Sequence, residues 1–153
     1  SAKNKGEHTD MYQSFISDEN IMFIRHYGAM QGAETFTATL NTLKFHPVDE
    51  QLKAVCVDFR DVTNATLEDS DAAFRDIVLS KLDSYHQNVN SFSTVTLYDP
   101  KNVRINEIIF DRGKRQSSEN FDFTAVFRAF SLPEALTQLG LPLDYCIEYP
   151  CQQ

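Results

Sequence analysis

The chain has no tryptophan, and among its 153 residues there are only 5 glycines, 3 cysteines and 14 basic side chains against 22 acidic ones. Each shortage excludes something. A net charge of −8 leaves too few cations to neutralise phosphates, so neither nucleic acid nor an anionic membrane surface is an expected partner. Cys56, Cys146 and Cys151 are an odd, sparse set, and the last two have no His or Cys partner at zinc-binding spacing. That usage suggests a reducing compartment and a cytoplasmic protein. No apolar run approaches the roughly 20 residues of a membrane helix, and no signal peptide is visible. There is no nucleophile elbow, Walker loop or dinucleotide fingerprint. The histidines, His8, His26, His46 and His86, do not pair at ligand spacing. Neither a metal nor a cofactor is expected. Residues 1–10 (SAKNKGEHTD) start with Ser rather than Met and read as a disordered or appended leader outside the fold.

What is present is an ordinary globular composition, 42% hydrophobic and 24% charged, with 12 phenylalanines. The length suits one domain able to bury a core without disulfides. Residues 11–16 (MYQSFI) and 21–27 (IMFIRHY) flank the turn signal Ser17-Asp18-Glu19-Asn20, which predicts a hairpin whose second strand is interior. Residues 28–32 (GAMQG) break the pattern. A helix with Ala33, Phe36, Leu40 and Leu43 on one face follows, ending at Pro47. Residues 52–59 (LKAVCVDF) form the strongest strand, continuous enough to be buried on both faces. Residues 60–65 read as a polar connection to a second helix with a stripe of Phe74, Ile77, Val78, Leu82 and Tyr85. A strand at 92–98, a helix from Val103 to Gly113, a strand at 123–130 and a helix at 132–139 complete the body. The last helix opens on a Ser131/Glu134 capping box and stops at Gly140. The fold class is therefore α/β: an N-terminal hairpin, then alternating helices and mostly parallel strands, about five strands and four helices over residues 11–141. Residues 142–153 form a tail whose alternating Leu143, Tyr145, Ile147 and Tyr149 suit an edge strand or a strap packed on the domain.

Three segments, VCVDFRDVT (55–63), TLYDPKN (96–102) and VFRAFSLPEAL (126–136), lie in this order on these elements. Together they resemble the SpoIIAA-like family, a bacterial stand-alone branch related to STAS domains. The resemblance implies a mixed sheet packed with helices and a non-enzymatic regulatory or protein-interaction role. It also implies a phosphorylatable Ser near the helix after the central strand. The nearest candidate is Ser70, but Glu68, Asp69 and Asp71 surround it and would repel a phosphate.

In open α/β sheets, ligands bind beyond the carboxyl ends of the strands where strand order reverses. That rule places Asp58, Asp61, Thr63 and Asn64 after one strand and Asp99, Lys101 and Asn102 after the next, with the 28–32 loop nearby. They could line a polar pocket or a partner-docking edge, although capping and turn chemistry accounts for several of them singly. A receiver-type reading of Asp58 and Asp61 lacks the further acidic pair that would hold Mg²⁺. The helix containing Ile105, Ile108, Ile109 and Phe110 is apolar on more than one face, which suggests burial against a protein partner or a second copy (self-association), a ligand cavity or the C-terminal tail. The first expectation is thus a protein-interaction domain. The alternative is a small-molecule or lipid-binding module of CRAL-TRIO-like topology holding a small apolar ligand. An enzyme using Asp58, Asp61 or His26 ranks last.

Overall fold

The computed structural model describes residues 11–66, 68, 71–115 and 125–150. In chain order the elements are β1 (Tyr12–Ile16), β2 (Ile21–Gln31), α1 (Glu34–Phe45), β3 (Ala54–Thr66), α2 (Asp71–Lys81), a 3₁₀ turn (Leu82–Tyr85), β4 (Ser93–Leu97), α3 (Val103–Arg115), β5 (Phe127–Ala129) and α4 (Leu132–Leu139). β1 pairs antiparallel with β2, and every other pairing is parallel. The fold is the expected α/β arrangement: among the described residues, a mixed five-stranded sheet entered through a hairpin, with four α-helices.

Spatial strand order equals chain order, β1-β2-β3-β4-β5. Every crossover therefore steps the same way across the sheet. Right-handed crossovers that all step one way place their helices on one face. The packing agrees. Ala38 and Leu43 of α1, Leu82 of the 3₁₀ turn and Ile105 and Ile109 of α3 share one core with Met22, Ile24, Val55 and Val57. The opposite face carries Ile21, Phe23, Ala54, Cys56, Val95 and Leu97. It is covered by Ala135 and Leu139 of α4 and by Leu141, Tyr145, Ile147 and Tyr149 of the C-terminal segment. That segment has no regular structure and lies as a strap, with the Tyr145 hydroxyl donating to Glu19 Oε1 (2.8 Å) and Gln13 Nε2 to the Pro150 carbonyl (3.0 Å).

Several element limits differ from the sequence reading. β2 runs straight through the expected break at Gly28, reaching Gln31, and β3 runs through the expected polar connection to Thr66. Two irregularities make this possible. His26 stands opposite both Phe59 and Arg60, and Thr63 is an extra residue between Val62, paired with Gly28, and Asn64, paired with Ala29. Each bulge adds twist and re-aims the side chains beyond it. Gly28 sits at φ +65°, where the left-handed backbone favours glycine; a Cβ there would meet the flexible end of the Met11 side chain (Sδ, 2.8 Å), which can give way.

The helix faces are also rotated from the apolar stripes. α1 buries Glu34, Ala38, Thr42 and Leu43. Glu34 acts as a clamp, its carboxylate accepting from the Gln31 N–H (2.7 Å) and the Met11 N–H (3.2 Å). α2 buries Arg75 and Val78, while Phe74 and Ile77 face solvent. α4 follows the expectation: Ser131 Oγ accepts from Glu134 N–H (3.2 Å), and Gly140 closes the helix in the left-handed region. The Glu134 carboxylate reaches back to the Phe130 N–H (2.7 Å). In the segment joining the 3₁₀ turn to β4, buried Gln87 is a polar hub for the residues leading into β3. Its Oε1 accepts from Leu52 N–H (2.7 Å) and Gln51 Nε2 (3.0 Å), and its Nε2 donates to the Glu50 carbonyl (2.7 Å).

Candidate functional site

The predicted polar edge does not assemble into one pocket. A sheet whose order never reverses has no topological switch point, so the crevice that such sheets use for ligands is not formed. Asp58, Asp61, Thr63 and Asn64 lie within β3 rather than in a loop after it. Asp58 is buried and held by Arg60 through three side-chain contacts (Nε to Oδ1 3.1 Å and to Oδ2 3.2 Å, Nη2 to Oδ2 2.9 Å) and the Arg60 N–H (2.9 Å). This pairing raises the Arg60 pKa further. Asp61 accepts from Arg25 Nε (2.8 Å) at the surface, a pair worth about 0–1 kcal/mol. Thr63 is exposed, and Asn64 Oδ1 accepts from the Ala65 N–H (3.0 Å). Asp99 Oδ1 accepts from Lys101 N–H (2.9 Å), and Asn102 Nδ2 donates to the Val62 carbonyl (3.1 Å). These are turn and tie interactions. Ser70 lies outside the described residues. Among the described residues, no group of three or more His, Cys, Asp or Glu is placed to hold a metal ion.

What the register builds instead is an aromatic row, one ring from or beside each strand. Tyr12 meets His26 (6.4 Å), His26 stacks on Phe59 (5.5 Å, 8°), Phe59 stacks on Tyr98 (5.4 Å), and Tyr98 leans on Phe130 (5.7 Å). His26 is fully buried, with Nε2 bonded to Thr35 Oγ1 (2.8 Å) and Nδ1 without a partner. Burial pushes its imidazole down to about 3, so the ring is neutral and is not a base poised near neutrality. Burial likewise raises the Tyr98 phenol and the Cys56 thiol to about 12 each, Asp58 adding to the shift at Cys56. A thiol held protonated in this way is a packing group.

Beside the row, on the face carrying α1, α2 and α3, the sheet and helices leave a cavity of about 120 Å³. Its floor is Val55, Val57 and Phe59 of β3 with Thr94 and Thr96 of β4. Phe36 and Thr39 of α1 and Arg75, Val78 and Leu79 of α2 form the roof, and Ile109 and Gly113 of α3 close one side. The floor follows from strand alternation: Val95 and Leu97 turn to the α4 face, so Thr94 and Thr96, which alternate with them, turn to the helices. The roof gapes because α2 points Phe74 and Ile77 outward and inserts Arg75 and Val78. Bonds already within reach of this space include Thr35 to His26, Thr39 Oγ1 to the Thr35 carbonyl (2.8 Å), Thr96 Oγ1 to the Phe127 carbonyl (3.4 Å) and Arg75 to Asp76.

Sequence reasoning offered a ligand cavity against the helix containing Ile109, which does line this space, but named none of the strand residues that form its floor as site residues. Its one available signal was the alternation Thr94-Val95-Thr96-Leu97, which sets two hydroxyls on one sheet face. The cavity can take an apolar body about the size of one aromatic ring, since an engineered apolar cavity of roughly 150 Å³ admits benzene. No protein-family model, curated protein or solved structure matches the chain.

Proposed function

We propose that this chain is a non-enzymatic regulatory domain of SpoIIAA-like fold that acts by binding, and that its ligand is a small apolar molecule held between the sheet and helices α1 to α3. The observation that carries this reading is the cavity of about 120 Å³ with mostly aliphatic and aromatic walls. The two features that suggested polar chemistry support it indirectly. Asp58 and Asp61 are each engaged by an arginine, and His26 is neutral within a stack. The volume favours a one-ring ligand over a lipid, because pockets enclosing larger ligands run to roughly 300–1,000 Å³. Cytoplasmic residence belongs to the same reading. Cys56 and Cys146 stand as free thiols, and no helix among the described residues is long and apolar enough to cross a membrane.

The test is calorimetric. Benzene at ten times its dissociation constant adds about 1.4 kcal/mol to stability by linkage, seen as a raised Tm. Val78→Phe, which fills the cavity, removes the shift. Absence of any shift in the unsubstituted protein at saturating benzene refutes the reading. A second reading, docking of a protein or of a second copy, is favoured by Phe74 and Ile77, which lie near each other on α2 at 39% and 53% exposure. Sedimentation that finds only monomer at high concentration, unchanged by Ile77→Glu, counts against self-association there.

A further inference from the structure

Arg75 is unusual among the cavity's lining residues. Its side chain is only 4% exposed, yet it borders a space otherwise walled by groups such as Val57, Phe59, Val78 and Leu79. A buried guanidinium is costly unless it is paired, and ligand pockets use a few such polar groups to fix orientation. Its partner on the same helix is the next residue: Asp76 Oδ1 accepts from Nε (3.2 Å) and Nη2 (3.1 Å). The Asp76 carboxylate is itself 45% exposed, so it returns to water at little cost. The arrangement is a cation at a cavity wall, paired with an anion that can be exchanged.

We infer that the ligand class of this site is a small carboxylic acid with an apolar body of about one ring, the body filling the cavity and the carboxylate pairing with Arg75 in exchange for Asp76. This rests on the binding reading above. Carboxylate is the matching head because the planar guanidinium presents parallel N–H groups that both oxygens can accept. The domain is acidic overall, so a ligand acid gains little from long-range attraction. The preference is therefore assigned to Arg75, the cation that lines the cavity among the described residues.

The experiment titrates the whole protein with benzoate and, separately, with neutral benzyl alcohol, following ¹⁵N–¹H shifts to obtain Kd. Benzoate is expected to bind about tenfold more tightly, the factor a charge-assisted pair contributes. Asp76→Asn should tighten benzoate severalfold while leaving benzyl alcohol unchanged. Arg75→Lys should keep part of the preference, and Arg75→Gln should abolish it; Asp76→Asn keeps the test decisive if the Arg75 variants fold poorly. Val78→Phe should remove both ligands. Equal binding of both compounds, or a benzoate preference that Asp76→Asn does not strengthen, overturns the carboxylate assignment and leaves the apolar-ligand reading standing. Binding of neither compound overturns both. Tighter binding of phenyl phosphate than of benzoate overturns the choice of head group.

Discussion

His26 supplies the sharpest pH prediction. In the folded chain its ring is sealed between Phe59 and Tyr12, and burial holds it neutral down to about pH 3. In the unfolded chain the same ring titrates near its ordinary value of about 6.5. The unfolded state therefore binds the extra proton throughout this window, and stability falls as pH falls below about 6.5. From pH 7 to pH 5 the loss integrates to about 2 kcal/mol from this residue alone. The folded value scarcely matters to that figure, because a pKa of about 3 lies well under the lower end of the range. Urea unfolding at closely spaced pH values between 5 and 7.5 measures the slope. His26→Phe, which keeps a ring against Phe59 and loses the Thr35 bond, should flatten the curve by that amount whatever its effect at pH 7. Parallel curves for the two proteins would refute the claim that a neutral imidazole is buried here.

Two further perturbations probe the polar interior. Gln87→Leu should cost about 1–3 kcal/mol in urea unfolding, because it strands the Leu52 N–H and the Glu50 carbonyl at a buried junction. An unchanged midpoint would mean that solvent reaches those groups. Tyr149→Phe removes a buried hydroxyl that has no hydrogen-bond partner, so stability should hold or rise by up to about 1 kcal/mol. A loss larger than that would show that the hydroxyl is partnered in solution.

The elements that could be read from the sequence are those whose local and tertiary demands agree. Residues 52–59 overlap the buried half of β3, and Ser131, Glu134 and Gly140 set the ends of α4. The second half of β3 could not be read. Past Leu97 the sheet has no β4 beside it, so residues 61–66 pair on one side only with β2 and carry the polar residues of an edge. Such a segment has the composition of a loop. The stripe on α2 misled for a different reason. Periodicity counts Phe74 and Ile77 as inward, whereas the helix is rotated so that Arg75 takes the inner place. The cavity follows from that rotation, and one sequence cannot report it. The aromatic row was equally hidden, because Tyr12, His26, Phe59, Tyr98 and Phe130 become neighbours only once the register is known.

The strap has a consequence for how the chain folds. It covers the sheet face that no crossover helix reaches, and its ties span nearly the whole sequence: Glu19 to Tyr145 across 126 positions, Gln13 to Pro150 across 137. Contacts this distant close the largest loops and collect their enthalpy late. Until they form, Phe15 and Phe23 lie bare of strap contacts on a hairpin that is synthesised before the strap. The hairpin thus leaves the ribosome with a greasy flank that awaits a segment more than a hundred residues later, and during that interval the nascent chain is most open to chaperones and to aggregation.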